Sequence, residues 1–301
     1  MAGFFFALNQ TKNRYKKMKL KIAVQKSGRL HDDSIALLKA AGIRIENGED
    51  KLLVSAANFP IEVLFLRNSD IPQYLSDGVT DMAIIGSNLV KESEKNIRII
   101  HPLVFSRCRL SLALPRQEDY NGIAWFNNKR IATSYPNSLQ SWLTENNLQA
   151  DIHEISGSVE IAPNIGLADA ICDIVSSGST LFKNGLREVE TILKSEAVIV
   201  DSGSLSAEKQ AISDELLFRI KAVLASRNTS YILMNVPNDR IGAVSRILPG
   251  MKSPTVMPLV EPGWSSLHSV ISDDDSWSII GKLKENGAEG ILVIHIDKMI
   301  M

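Results

Sequence analysis

Three apolar runs constrain what the first part of this chain can become. LKIAVQ (20–25), IEVLFLR (61–67) and DMAIIG (81–86) are almost uninterrupted in apolar residues, as strands buried on both faces are. The first leads through the loop KSGRL (26–30) into DDSIALLKAAG, where apolar residues recur at helical spacing until Gly42 stops them. The second leads into DIPQYLSDG, again helical. Strands alternating with helices predict an α/β domain with a largely parallel sheet. RCRLSLALP (107–115) then reads as a strand running towards Pro115, and KRIATSYPNSLQSWLTENNL as strand, turn and helix before the strand DIHEIS. A second α/β lobe is therefore expected over 111–195. The first lobe takes 19–110 and regains the chain at 196–227, where the apolar run of VETILKSEAVIVDSG precedes a connecting helix, AEKQAISDELLFRIKAVLASR.

Beyond that helix the pattern changes. SYILMNVP, NDRIGAVSRILP, SPTVMPLVE, WSSLHSVIS, DSWSIIGKLKENGA and EGILVIHIDKM read as strand, helix, strand, strand, helix, strand. That order is the ferredoxin-like split βαβ motif, so 228–301 is expected to be a separate small α+β domain. Gly287 and the Pro249-Gly250 pair supply its helix stops.

With 301 residues, more than one domain is expected in any case. The formal net charge of −1 supplies no whole-protein field for nucleic acid or an anionic membrane, so any polyanionic ligand needs a local site. Cys108 and Cys172 form no C-x-x-C pair, which is cytosolic usage. No run approaches the 18 or so apolar residues of a membrane span. MAGFFFALNQTKNRYKKM lacks the order of a secretory signal, and residues 1–18 read as a disordered extension.

The stretch carrying most chemistry is GLADAICDIVSSGSTLFKNGLREVE (166–190). Ala168, Ile171, Cys172 and Val175 fall at i, i+3, i+4 and i+7, which predicts an amphipathic helix with Asp169, Asp173 and Ser176 on another face. A solvated acidic face is the ordinary reading of such carboxylates. Two features oppose it: acids near a helix C-terminus work against the dipole, and the loop that follows is almost all hydroxyls around Gly178. Ser176, Ser177, Gly178, Ser179 and Thr180 can converge amides and hydroxyls on one anion, beside acids suited to ribose hydroxyls or a metal. On this reading the loop follows the helix and holds its anion without a helix dipole. The loop with Lys26, Gly28 and Arg29 lies where α/β sheets bind ligands, although solvated basic residues on a plain turn would look the same. HEISG (153–157) lacks the second histidine of a zinc pair, and no Walker or nucleophile-elbow motif is present.

GSVEIAPNIGLADAICDIVSSGSTLFKNGLREVE (157–190), together with LKIAVQKSGRLHDDS, CRLSLALP, KRIATSYP and SPTVMPL, resembles the ATP phosphoribosyltransferase family in its long form, from about Met18 to the C-terminus. The resemblance implies two lobes like a type II periplasmic binding protein with the site in their cleft, and an ACT-like histidine-binding domain at the C-terminus. It implies a cytoplasmic glycosyltransferase joining ATP to 5-phosphoribosyl 1-diphosphate with Mg²⁺, in the first step of histidine biosynthesis. It also implies inhibition by histidine, a homo-oligomer between dimer and hexamer, and no separate regulatory subunit. In that frame Ser176 to Thr180 hold the 5-phosphate and Asp169 and Asp173 face the ribose. Lys26, Arg29 and Arg109 serve phosphates, and Glu160 is a candidate for Mg²⁺ or proton handling. Asn235 stands where the family's histidine pocket has an acid, and Thr255 matches the family. A solute-binding protein and a metabolite sensor are the rival readings of the same architecture.

Overall fold

The computed structural model describes residues 18–45, 51–248 and 253–301; most of the predicted N-terminal extension and the Pro249-Gly250 stop lie outside them. The chain divides into two compact units. The first takes residues up to Lys39 and Ile43–Asp214, and the second takes Ala40–Gly42 and Glu215–Met301.

The first unit contains both α/β lobes. Its first sheet has the order β2-β3-β1-β4-β11-β5, built from β1 (Leu20–Gln25), β2 (Leu53–Ser55), β3 (Ile61–Leu66), β4 (Met82–Gly86), β5 (Arg98–Pro102) and β11 (Ala197–Asp201). The three apolar runs are the central parallel strands β3, β1 and β4. Helices α1 (Arg29–Ala40), α2 (Ile71–Ser76) and α3 (Ser87–Glu92) follow them. The second sheet has the order β10-β6-β9-β7-β8, from β6 (Cys108–Pro115), β7 (Arg130–Thr133), β8 (Asp151–Glu154), β9 (Ala170–Val175) and β10 (Leu186–Ser195), with α4 (Pro136–Glu145) and α5 (Ser179–Lys183). The chain crosses between lobes twice, over Leu103–Arg107 and at Glu196 between β10 and β11.

The predicted helix over residues 168–175 is a strand. AICDIV is β9, in the middle of its sheet between β6 and β7. Leu110, Leu112, Phe126 and Cys172 pack on one face of that sheet, and Ala113, Ile171, Val175 and Leu181 on the other. Burial on both faces produces the near-continuous apolar run, and such a run matches a helical template as well as a strand.

After α6 (Ala207–Ser226), the second unit contains β12 (Thr229–Pro237), α7 (Ile241–Ile247), β13 (Thr255–Pro258), β14 (Trp264–Ser272), α8 (Ser276–Glu285) and β15 (Glu289–His295). The sheet order β13-β14-β12-β15 with antiparallel neighbours is the expected ferredoxin-like arrangement. Ile232, Met234, Val236, Leu267 and Ile271 face the helices around Val244 and Leu283, leaving the other face of the sheet open.

Candidate active site

β9 ends at Val175, and the chain turns through Ser176, Ser177 and Gly178 into α5. Gly178 is left-handed at φ +78°, where a side chain would be strained. A Cβ there would meet only Val175, at 4.0 Å, so glycine is required for conformation and not for space. The Ser177 hydroxyl donates to Ser179 Oγ at 3.1 Å and accepts from the Ser179 amide at 3.4 Å. Because the first amides of a helix have no intrahelical acceptor, loop and helix start together offer N–H and O–H donors. The loop thus precedes a helix, the reverse of the order expected from sequence. α5 has only five residues, so convergent amides contribute more than its dipole. These donors line a cavity of about 380 Å³ together with Glu160 and Asp173.

The two acids of the sequence motif separate. Asp173 is mostly buried, and burial raises its carboxyl above the ordinary range; the charge of Glu160 adds to this, while the Ile174 amide works against it. That amide donates to Asp173 Oδ1 at 2.7 Å. Asp169 precedes the opposite end of β9, roughly 13 Å away at strand rise. Its carboxylate pairs with Arg130 Nη2 at 2.9 Å and accepts the Arg130 amide at 2.9 Å. Arg130 holds that carboxyl below the ordinary range. Asp169 therefore ties β9 to β7 and does not face the cavity, which corrects the ribose role expected for it. Glu160, in the 3-10 turn Val159–Ile161, lines the cavity beside Asp173.

Arg29 opens α1 in the first lobe and reaches the second, donating to Ser176 Oγ at 3.2 Å and to the Arg107 carbonyl at 3.0 Å. Gly28 (φ +89°) turns the chain into that helix. Lys26 is exposed on the same loop, its amide bound to the Leu66 carbonyl at 2.7 Å. A cleft cavity of about 230 Å³ is lined from both lobes, by Gln25, Arg29 and Asn88 on one side and Tyr135, Ile174 and Ser176 on the other. Arg109 is not a free cation: Nε and Nη2 grip both carboxylate oxygens of Glu188, and Nη1 donates to the Ser176 carbonyl at 3.3 Å.

Sequence reading missed Glu188, Ser111 and Tyr135. Tyr135 packs against the cores of both lobes, and its hydroxyl is pushed well above the usual phenol value by burial and then by the charge of Asp173. A Tyr-Pro turn at the carboxyl edge of β7 was its only local signal. In the second unit, Asn235 stands opposite Ser266, and Thr255 opposite His268. Both lie on the open sheet face, with His268 between them bonded to Tyr231 Oη at 2.7 Å and Ser266 Oγ at 2.9 Å. Among the described residues no cluster of three or more His, Cys, Asp or Glu is placed to hold a metal, and no helix is long and apolar enough to cross a membrane.

The family model described as ATP phosphoribosyltransferase matches residues 67–222, and that described as HisG, C-terminal domain, matches 226–298. ATP phosphoribosyltransferase of Cytophaga hutchinsonii is 57% identical over 281 residues, which are 93% of this chain and 98% of the relative. That of Phocaeicola vulgatus is 54% identical, over 94% of this chain and 100% of the relative. The chain belongs to the ATP phosphoribosyltransferase family. This phosphoribosyltransferase is of the long form, an enzyme of the first step of histidine biosynthesis. One solved structure, an ATP phosphoribosyl transferase (HisG:HisZ) complex from Thermotoga maritima, aligns with a TM-score of 0.57 and 29% identity. The match takes 67% of this chain and 98% of that one, so about a third of this phosphoribosyltransferase has no counterpart there.

Proposed function

We propose that the enzyme condenses ATP, through adenine N1, with 5-phosphoribosyl 1-diphosphate, giving phosphoribosyl-ATP and diphosphate. The observation that carries the site assignment is one cavity holding both the 176–180 donors and the two acids Glu160 and Asp173. The donors suit the 5-phosphate, and the acids face the ribose. As the C1–O bond to diphosphate breaks, its electron pair leaves with the diphosphate and the ring gains oxocarbenium character. Carboxylates beside the ring stabilise that charge. Adenine N1 forms the new bond to C1, and the exocyclic amino group loses a proton. Arg29 spans the cleft and is placed for phosphate oxygens of either substrate.

Glu160 and Asp173 are the carboxylates lining the cavity, and Glu160 would be the side chain to hold a Mg²⁺ carried in on the diphosphate oxygens. When bound, that ion neutralises charge on the leaving group. Histidine is proposed as a feedback inhibitor at the open face bearing Asn235 and Thr255. Self-association through this domain is supported by its exposed Met257, Leu292 and Ile294. A regulatory domain within the same chain removes the need for a separate regulatory subunit. Two free cysteines suit a cytoplasmic setting.

The test is incubation with ATP, 5-phosphoribosyl 1-diphosphate and Mg²⁺, following absorbance of the N1-substituted adenine and release of diphosphate. Diphosphate released without the adenine signal would refute the assignment of N1. Rates that stay flat across a histidine titration would refute the inhibition.

A further inference from the structure

We propose that Glu188 is a positioning residue of the phosphoribosyl site, acting through Arg109 to fix the carbonyl of Ser176 and so the direction of the loop amides. The proposal rests on reading residues 176–180 as the phosphate cradle.

Two irregularities in β10 bring Glu188 to the site. Register shifts fall between Glu188 and Glu190 and between Thr191 and Leu193, so that Glu188, Thr191 and Lys194 stand opposite Ala113, Ser111 and Arg109 of β6. Three residues of β10 at a spacing of three thus share the face that carries alternate residues of β6. Bulges of this kind re-aim side chains beside functional sites. On the other side of β6, Ser111 stands opposite Asp173 and Arg109 opposite Val175, so this face of the sheet is also the face of the acid and the loop.

On that face Glu188 is saturated. Its two oxygens take Nε and Nη2 of Arg109 side-on, and Oε1 also accepts the hydroxyl of fully buried Ser111 at 2.8 Å. Arg109 first, and then the Ser111 hydroxyl, hold this carboxyl below the ordinary range against its burial. A guanidinium is a rigid planar fork, so occupying the Nε/Nη2 edge decides where Nη1 points. It points at the Ser176 carbonyl, 3.3 Å away.

That carbonyl opens the loop. Across a trans peptide the C=O and the next N–H point in opposite directions, so holding the Ser176 oxygen also sets the Ser177 N–H. Gly178 follows in its left-handed conformation. Arg29 holds the hydroxyl of the same serine from the first lobe. Without Glu188, Arg109 is a long, part-exposed side chain with nothing to set its third nitrogen, and the peptide after Ser176 is free to turn.

The test compares full-length wild type, Glu188→Gln, Glu188→Asp, Arg109→Gln and the Glu188→Gln/Arg109→Gln double variant. Both KM values and kcat are measured, with calorimetric binding of 5-phosphoribosyl 1-diphosphate alone. The expected result for Glu188→Gln is a rise of about tenfold in KM and Kd for 5-phosphoribosyl 1-diphosphate, with KM for ATP within about twofold. Glu188→Asp recovers part of the loss and serves as the folded comparison if the glutamine variant is unstable. The double variant is no worse than the poorer single one, because both act on one contact. Unchanged binding in Glu188→Gln, or a loss confined to kcat and thermal stability with both KM values preserved, overturns the proposal. Gly178→Val in the same titration tests the cradle itself: unchanged affinity there removes that reading, and this proposal with it. Lost affinity in Gly178→Val beside unchanged affinity in Glu188→Gln refutes the positioning role alone.

Discussion

Asp169 and Asp173 are the same residue type four positions apart, and their surroundings give them opposite properties. Arg130 lowers the carboxyl of Asp169, so its contribution to stability is present above the ordinary aspartate range and lost as pH falls through its lowered value. Burial raises that of Asp173, so the fold is most favoured with this group protonated and loses that preference as pH rises through its raised value. Asp173→Asn is therefore expected to raise the thermal midpoint at neutral pH, with the gain shrinking in acid, while kcat falls on the order of 10²-fold. Asp169→Asn is expected to lower stability by about 1 kcal/mol and leave KM for 5-phosphoribosyl 1-diphosphate unchanged. Thermal melts at two pH values beside steady-state rates decide both. Glu160 sharpens the same point, because its charge is one cause of the raised Asp173 value. If catalysis needs Asp173 ionised, Glu160→Gln should move the acid limb of kcat/KM for 5-phosphoribosyl 1-diphosphate to lower pH, measured on whatever activity remains. A limb that stays or moves upward would show that the two acids are not coupled in this way. The candidate residues were legible as types in one motif. Which acid serves the cavity depends on strand rise and on a partner 39 residues away, and local spacing carries neither.

At the scale of elements, the same motif shows why the helix reading failed. In AICDIV the helical positions are also the positions that a doubly buried central strand fills with apolar residues. The strands β1 and β3 escaped that ambiguity because each was followed by its own helix signal. The bulges of β10 were invisible for a related reason: LREVETILKS keeps no period of two, and only pairing with β6 reveals which residues share a face. Another contact beyond sequence reading joins the lobes. Glu92, the last residue of α3, accepts the amides of Asn137 and Ser138 at 2.9 Å each, and so caps α4 of the other lobe. The Asn137 side chain returns a hydrogen bond to the Glu92 carbonyl at 2.9 Å. A carboxylate at a helix start satisfies amides that the helix cannot. Glu92→Ala should cost about 1 kcal/mol in the thermal unfolding of the full chain. Because the cap lies across the cleft, KM for both substrates should rise together, unlike the selective change expected for Glu188→Gln. A variant that melts earlier with both KM values intact would make this contact a stabiliser only.

At the scale of the whole chain, the order of elements in the second unit was readable throughout, since short apolar segments there alternate with two helical ones and each helix has its own stop. The boundary was less readable. α6 reads as one uninterrupted helix, and the division into compact units falls within it, between Asp214 and Glu215, and not at its end. The regulatory reading belongs to this scale too, because it requires a ligand in the second unit to change the rate in the first. Asn235 is half-buried on the open sheet face, and its amide lies close to where a Cβ on Gly290 would stand, 3.5 Å away. Glycine at 290 puts no side chain against that amide. An amide offers the ammonium group of histidine a neutral acceptor, whereas a carboxylate would offer a charge-assisted one, roughly twice as strong. Asn235→Asp should therefore lower the histidine concentration for half-inhibition about tenfold, equivalent to 1.4 kcal/mol, with the uninhibited rate unchanged. The gain should shrink as salt rises, since a half-buried charge remains partly screened. Inhibition that is equally strong in both proteins would place the ligand's ammonium away from residue 235. A shift that ignores salt would mean that the substitution acts through packing and not through charge.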